Sequence, residues 1–196
     1  MSTWREKRKQ ELREEIYESA LELFRKDGYE ATTVQQITEG LGIAKGTFFN
    51  HFPSKEHIVV RWYNGITDIT ISAAKKRDKA SACEAVCELF GDMARRATLE
   101  PELLVAKFRY CTNPELMEAE KRQVQAIRDL IVGYCEAGIH RGEMDSGLDI
   151  HTLCEVLIAT LSGTSRSWVY ANPSFDFSRV IRQRVTFVFQ AVTPES

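Results

Sequence analysis

The spacing of apolar residues is the feature that most restricts the fold of this 196-residue chain. Apolar residues recur at steps of three and four from end to end, which is the period of one face of an α-helix, and no strand-like alternation interrupts them. Leu12, Ile16, Ala20 and Phe24 form one such stripe, and Gly28 follows them as a stop signal. The pattern therefore predicts an all-α protein.

The predicted helices differ in length along the chain. A first helix over about 5–26 is followed by two short ones, over 33–41 and 45–52, and the later helices are of moderate to long length. We therefore predict a three-helix N-terminal domain over 1–53 and a larger helical domain over 54–196. The later helices are predicted over 82–98, 101–111, 114–139, 149–171 and 177–192.

Composition limits the partners of the chain. The formal net charge is −2 and the pI is about 6.1, so any contact with nucleic acid has to come from a local basic patch. No apolar run approaches the roughly 18 residues that span a bilayer, and the N-terminus lacks an apolar signal core. We expect a cytoplasmic protein without a membrane partner.

The cysteines favour a reducing compartment. Their number, five, is odd, and they lack the close spacing of a disulfide scaffold. The histidines are scattered through the chain, so we expect neither a metal nor a cofactor. Cys83 and Cys87 are four residues apart, which places both on one face of a helix, and a redox-sensing role for this pair stays open as an alternative.

The two short helices and the turn between them predict a helix-turn-helix. Gly40 and Gly42 flank the turn, and a longer helix precedes the pair. Phe48 and Phe52 are spaced to face inward, which leaves the polar side of the second helix free. Such a helix fits the major groove, where amide and cationic side chains reach base edges. The polar groups on that side are Lys45, Thr47, Asn50 and His51.

The run TTVQQITEGLGIAKGTFFNHFPSKEHIV resembles the DNA-binding signature of the TetR family of bacterial transcriptional regulators. The family pattern is Thr-Val-x-x-Ile, a glycine turn, Ser-Lys-Gly-Thr-Leu-Tyr-x-Tyr/His-Phe and then Ser-Lys-Glu. The resemblance covers roughly residues 10–60. It implies a DNA-binding N-terminal domain and a helical ligand-binding body.

The resemblance also implies roles for individual residues. Thr33 occupies a phosphate-contacting position, and Lys55 matches a lysine that clamps the backbone beyond the recognition helix. Phe49 stands where the family usually has a phosphate-bonding tyrosine, and Ala44 replaces a serine that supplies a capping oxygen. The implied DNA-binding residues are Thr33, Lys45, Gly46, Thr47, Phe49, Asn50, His51 and Lys55.

Three further sets of residues are candidates for contacts. A basic N-terminal cluster, Arg5, Lys7, Arg8 and Lys9, is a candidate for minor-groove or phosphate contact, with a solvated tail as the alternative. Aromatic and other large apolar residues of the helical body are candidates for a ligand pocket, although core packing is the commoner role of such residues: Trp62, Ile66, Phe90, Met93, Phe108, Met117, Tyr134 and Trp168. The last two helices are apolar on more than one side, which predicts burial against a second subunit through Leu157, Leu161, Ile181, Val185, Val188 and Phe189.

These observations predict a homodimeric transcriptional repressor that binds a palindromic DNA operator and releases it when a small-molecule effector binds the C-terminal domain. The sequence holds no phosphate-binding glycine loop and no protease or hydrolase signature, so we do not expect an enzyme. A helical adaptor that binds a protein partner stays open as an alternative, because Ala44 and Phe49 depart from the family pattern.

Overall fold

The computed structural model describes residues 4–76, 81–112, 114–171 and 174–193. Over these residues every regular element is an α-helix, which confirms the predicted all-α class, and the helices number nine. They are α1 Trp4–Asp27, α2 Val34–Leu41, α3 Lys45–His51, α4 Lys55–Ala74, α5 Ala82–Ala97, α6 Pro101–Tyr110, α7 Pro114–His140, α8 Ile150–Tyr170 and α9 Phe177–Gln190. None of the described helices is both long enough and apolar enough to cross a membrane.

The chain divides into two compact units. Unit 1 contains Met1–Trp62 together with Glu102–Met117, and unit 2 contains Tyr63–Pro101 together with Glu118–Ser196. Unit 1 therefore holds α1 to α3, the start of α4 and nearly all of α6. The domain limits 1–53 and 54–196 stay a prediction, which is drawn from the sequence pattern and not from packing.

Unit 1 is held together by side chains that α1, α2 and α3 bury against one another. Ile16, Phe24, Ile37 and Phe48 have no exposed surface, and Phe52 is almost fully buried. Seven residues are too few for a stable isolated helix, so α3 depends on this packing for its existence and its direction. The expectation that Phe48 and Phe52 face inward is confirmed.

Unit 2 is built around α5, most of which is buried, and α5 packs on α9 while α9 packs on α8. The α5–α9 contact is close at Gly91, where an added Cβ would collide with the Arg182 guanidinium. The Ser178 hydroxyl also donates to the Gly91 carbonyl, over 3.1 Å. A side chain at position 91 would therefore displace the Arg182 guanidinium.

Candidate DNA-binding interface

The start of α2 is fixed by a capping box. Thr33 is the N-cap, and its side-chain oxygen accepts from the Gln36 backbone N–H at 3.2 Å. In return, the Gln36 side-chain oxygen accepts from the Thr33 backbone N–H at 2.7 Å. The two bonds satisfy two of the N–H groups that a helix start leaves without partners. Thr33 itself is exposed, beside the N-terminus of α2.

The turn between α2 and α3 needs a glycine at one position. Gly42 is the C-cap of α2, with φ of 64° and ψ of 31°, a left-handed conformation that is unfavourable for residues with a Cβ. Its N–H donates to the Glu39 carbonyl at 3.2 Å, and the Ile43 N–H donates to the Thr38 carbonyl at 3.0 Å. These bonds set the direction in which α3 leaves the turn.

Helix α3 buries one side and exposes the other. Phe48 fills the core, whereas Lys45, Gly46, Phe49 and Asn50 are exposed. Thr47 is half-buried. The exposed side carries an ammonium group, an amide and a glycine that leaves room for close approach, which together suit the edges of base pairs and the DNA backbone.

Lys45 is oriented by a polar chain from α2. Its Nζ donates to Gln35 Oε1 at 3.1 Å, and Gln35 Nε2 donates to Glu39 Oε1 at 2.7 Å. Two of the three ammonium hydrogens remain for other acceptors. At the N-terminus of the same helix, Ala44 forms no side-chain cap, which confirms that the capping oxygen expected of a serine is missing.

His51 lies at the end of α3, where two cations of α1 influence it. Burial, and then the charges of Lys9 and Arg13, lower the pKa of His51, so its neutral form is favoured near pH 7. Its Nδ1 is buried and has no hydrogen-bond partner among the described residues. The Arg13 guanidinium lies 4.9 Å from the centre of the Phe52 ring, which holds it at this end of α3.

Arg13 is an additional candidate for phosphate contact, beside Lys9 of the basic N-terminal cluster. Both are exposed, and they are four residues apart, so they share one side of α1. This spacing is visible in the sequence, but only the fold places that side of α1 next to His51.

Lys55 stabilises the loop that precedes α2. Its Nζ donates to the carbonyls of Tyr29, at 2.9 Å, and Thr32, at 3.1 Å, and it lies 4.2 Å from the centre of the Tyr29 ring. An ammonium group has three donors, so one remains for a phosphate oxygen. The Tyr29 hydroxyl donates to Glu56 at 2.8 Å, and burial, followed by this bond to a carboxylate, raises the pKa of Tyr29.

The C-terminal end of α6 joins the same contacts, which we call the Tyr29 cluster: Tyr29, Glu30, Lys55, Glu56 and Tyr110. The Tyr110 ring stacks on Tyr29 with ring centres 5.2 Å apart, and its hydroxyl donates to Glu30. The thiol of the next residue, Cys111, donates to the Glu56 carbonyl at 3.6 Å. The bond between Tyr110 and Glu30 thereby joins segments of unit 1 that are 80 positions apart in the sequence.

The basic N-terminal cluster is part of α1. Arg5, Lys7 and Arg8 are exposed. The Arg8 guanidinium is 3.3 Å from a carboxylate oxygen of Glu11 and 3.4 Å from one of Glu15. Arg8 is therefore partly neutralised within its own helix, and such exposed pairs add little to stability.

The candidate pocket residues are divided between the two units. Trp62, Phe108 and Met117 belong to unit 1, and Met117 is 60% exposed. The unit 2 members are Ile66, Phe90, Met93, Tyr134 and Trp168, of which all but Tyr134 are buried. Trp168 is fixed in place, since its indole N–H donates to the Phe175 carbonyl at 3.1 Å.

The candidate interface residues lie mainly inside the protomer. Leu157, Leu161, Ile181, Val185 and Phe189 are buried within the chain, and Val188 is half-buried. They contribute to the packing of unit 2 within the chain, and their contact with a second subunit stays a prediction. Phe187, which is 75% exposed, and Val156 lie on the outer surface of α8 and α9, where two adjoining depressions share Phe187 and Val188.

Comparison with known proteins agrees with this geometry. Residues 16–61 match the family described as "Bacterial regulatory proteins, tetR family", and the match ends with the first residues of α4. The fatty acid metabolism regulator protein of Bacillus subtilis (strain 168) is 24% identical over 171 residues, which cover 83% of this chain and 86% of that protein.

Two solved structures share the fold. The transcriptional regulator FadR of Bacillus subtilis, in complex with stearoyl-CoA, has a TM-score of 0.73 and 21% identity over 91% of this chain and 98% of its own. Thermus thermophilus FadR, a TetR family repressor in complex with lauroyl-CoA, has a TM-score of 0.74 and 22% identity over 94% and 97%. Residues 16–61 therefore carry the DNA-binding domain of the TetR family, and the chain is a DNA-binding transcriptional regulator.

Proposed function

We propose that two copies of the chain bind a palindromic operator, repress transcription there, and release the DNA when an acyl thioester binds unit 2. The observation that supports DNA contact through α3 is its exposed polar side. Lys45, Gly46 and Asn50 share this side, while buried Phe48 and the capped turn at Gly42 hold the helix in one direction.

Each residue of the interface has a role in this proposal. Asn50 reads a base edge, because an amide both donates and accepts. Lys45 contacts a phosphate or a base, and Thr33 contacts a phosphate at the N-terminus of α2. The third ammonium hydrogen of Lys55 binds the backbone beyond α3. Thr47, Phe49 and His51 complete the surface that faces the groove.

The cations of α1 extend this surface. Lys9 and Arg13 lie beside His51 and are exposed, so both of their charges would attract a phosphate there. Arg5, Lys7 and Arg8 add positive charge at the start of α1. The chain as a whole is slightly acidic, so this local cluster supplies the attraction for DNA.

Specific binding requires two copies, because one recognition helix reads only a few base pairs. Two half-sites about 34–36 Å apart, or a multiple of that distance, would meet two α3 helices on one face of the duplex. We propose that the copies pair through the exposed sides of α8 and α9, with Phe187 near the centre. An isologous contact of this kind buries the same apolar group from each copy.

The proposed effector class is a long-chain acyl-CoA. The two FadR structures that share the fold were solved with stearoyl-CoA and lauroyl-CoA. An acyl chain needs an apolar site, and the buried side chains of Ile66, Phe90, Met93 and Trp168 in unit 2 supply apolar surroundings. A ligand that prefers the non-binding conformation by about 1–3 kcal/mol would weaken the DNA complex roughly 5- to 150-fold.

The test begins with an operator, obtained by footprinting the protein on the DNA beside its own gene. Fluorescence anisotropy then measures operator binding with stearoyl-CoA, lauroyl-CoA or acetyl-CoA added. We expect the two long-chain thioesters to release the DNA and acetyl-CoA, which has the same head group, to have no effect. Equal release by all three would refute recognition of the acyl chain, and absence of a footprint would refute the operator.

A measurement without DNA tests binding of the effector separately from release of the operator. At a concentration 100 times its dissociation constant, a ligand that binds only the folded state raises the unfolding free energy by about 2.7 kcal/mol. We expect stearoyl-CoA to raise the melting temperature accordingly and acetyl-CoA to leave it unchanged. Stabilisation without DNA release would contradict the coupling between the two sites.

A further inference from the structure

Cys83 and Cys87 lie one turn apart on α5, where that helix faces α9. The Cys87 Sγ is 3.5 Å from the Thr186 hydroxyl oxygen and 3.6 Å from the Arg182 carbonyl oxygen. Cys83 is four residues before Cys87, so its side chain lies on the same face of α5. Cys83 is half-buried and Cys87 is 9% exposed, so the pair extends from the edge of the α5–α9 contact into it.

The surroundings favour a thiolate on one member of the pair. The neighbouring Cys83 thiol, and then the Thr186 hydroxyl and the charge of Arg182, lower the pKa of Cys87, against the effect of burial. The Cys87 side chain, together with burial, raises the pKa of Cys83. The pair therefore loses its first proton at a lower pH than an isolated cysteine would.

The other cysteines for which a direction is resolved lie in the opposite environment. Burial raises the pKa of Cys135 to about 12, and burial also raises the pKa of Cys154. A thiolate is the reactive form of cysteine, and a thiol beside it can resolve the first oxidation product. Cys87 is placed to act as the reactive thiolate, and Cys83 is placed to act as the neighbouring thiol.

We propose that Cys83 and Cys87 form a dithiol site that reacts with hydroperoxides. The Cys87 thiolate attacks the distal peroxide oxygen, the O–O bond breaks, and the leaving alkoxide or hydroxide takes up a proton, which gives Cys87 sulfenic acid and an alcohol or water. The Cys83 thiol then attacks the sulfenic sulfur, and water leaves as the disulfide forms. The peroxide is reduced and the two thiols are oxidised.

The disulfide requires a local change in α5. Side chains four apart on a helix have Cβ atoms about 5–6 Å apart, whereas a disulfide needs about 3.5–4.5 Å. Cys83 is the second residue of α5, so the change falls in the first turn. That turn is held by the Ser81 hydroxyl, which accepts from the Glu84 N–H at 3.1 Å, and by Glu143, which accepts from the Ala82 N–H at 2.8 Å.

The site goes beyond the proposed function and does not rest on it, so the test does not use DNA. The folded full-length protein is treated with an equimolar amount of hydrogen peroxide and then denatured. Remaining thiols are alkylated before trypsin digestion, which places both cysteines in the peptide 80–95. We expect this peptide to lose two hydrogen atoms and escape alkylation, while Cys111, Cys135 and Cys154 are alkylated.

Two variants assign the roles. Cys83→Ser should accumulate Cys87 sulfenic acid, which dimedone traps, and should form no disulfide. Cys87→Ser should slow the reaction with peroxide about tenfold, because the remaining thiol at position 83 is mostly protonated near pH 7. The matched control Cys154→Ser, which alters a buried cysteine of the same unit, should react at the wild-type rate.

Hydrogen exchange gives an independent readout. On oxidation, the amides of the first turn of α5 should lose protection, and a reducing dithiol should restore it. Full alkylation of Cys83 and Cys87 after peroxide treatment would overturn the proposal. Equal oxidation of Cys83, Cys87 and the three other cysteines would overturn it as well.

Discussion

Asn50 and Lys45 lie on the same exposed side of α3 but differ in what they would contribute to the proposed DNA recognition. An amide can form two directed bonds with a base, whereas an ammonium group bound to a phosphate neutralises charge without reading sequence. The polar chain from Glu39 through Gln35 restricts the Lys45 ammonium before any DNA is bound. Replacing Asn50 should therefore change the sequence preference of binding, whereas replacing Lys45 should change its salt dependence.

The first prediction concerns these two side chains. Asn50→Ala should weaken operator binding by about 1–3 kcal/mol and relax the preference at one base pair. Lys45→Ala should weaken binding to all sequences by a similar factor. It should also make the slope of log binding constant against log salt concentration less steep by about 0.9, the value for one phosphate contact. Anisotropy titrations over a range of salt concentrations measure both effects.

Lys76→Ala is the control, since Lys76 is exposed and lies in unit 2. It should leave operator affinity and its salt dependence at their wild-type values. A wild-type affinity for both the Asn50 and the Lys45 variant would remove α3 from the interface.

The second prediction follows from the lowered pKa of His51. The unfolded chain binds a proton at the ordinary histidine value of about 6.5, and the folded chain binds it only at lower pH. The folded state therefore loses stability as the pH falls below about 6.5. In His51→Gln this loss should be smaller, as measured by urea unfolding at several pH values between about 5 and 8.

The exposed His140 provides the comparison. His140→Gln should follow the wild-type curve of unfolding free energy against pH. The explanation fails if the His51→Gln curve runs parallel to the wild-type curve over the whole range.

At the scale of elements, α2 and α3 begin in contrasting ways. Thr33 and Gln36 exchange two hydrogen bonds at the start of α2, while Ala44 offers no side-chain cap to α3. A missing cap matters for a helix of seven residues, because few other bonds hold its first turn. Packing of Phe48 compensates for the weak start.

The third prediction tests this contrast. Ala44→Ser should raise the unfolding free energy by about 1 kcal/mol, and Thr33→Ala should lower it by about the same amount. Chemical denaturation monitored by circular dichroism gives both values. A neutral or destabilising Ala44→Ser would show that the N-terminus of α3 does not need the cap.

The elements of the DNA-binding region were predictable because their signals are local. Thr33 and Gln36 are three residues apart, and Gly42 marks a turn by its own backbone freedom. The Tyr29 cluster had no such signal, since Tyr110 reaches Glu30 only through tertiary folding. The environment of His51 was hidden for the same reason, because it depends on Lys9 and Arg13 of another helix.

The apolar stripes of α8 and α9 show another limit of sequence reasoning. Periodicity identified Leu157 and Ile181 as members of apolar faces, and both are fully buried. It did not say what covers those faces, and in the fold the same protomer does so. Phe187, which is exposed, lies outside the stripe that the pattern selected.

At the scale of the whole molecule, the proposed repressor depends on its pairing into dimers. The fourth prediction is that Phe187→Asp produces monomers, because two carboxylates would be buried near the centre of the interface. Sedimentation velocity measures the change. Val185 is unsuitable for this test, since it is buried in the protomer and its replacement would perturb folding.

Leu99→Asp is the matched control. Leu99 is 80% exposed and lies outside α8 and α9, so the same change there should leave the association state of the wild-type protein intact. Dimers that persist in Phe187→Asp would place the contact between copies on another surface.

The discontinuity of unit 1 has a consequence for building hybrid regulators. A chimera that transplants only residues 1–62 onto a foreign effector body would leave the Tyr29 ring without the stacked Tyr110 and Glu30 without its donor. A functional transplant should include 102–117 as a second insert, so that unit 1 keeps all of its own packing contacts in the hybrid.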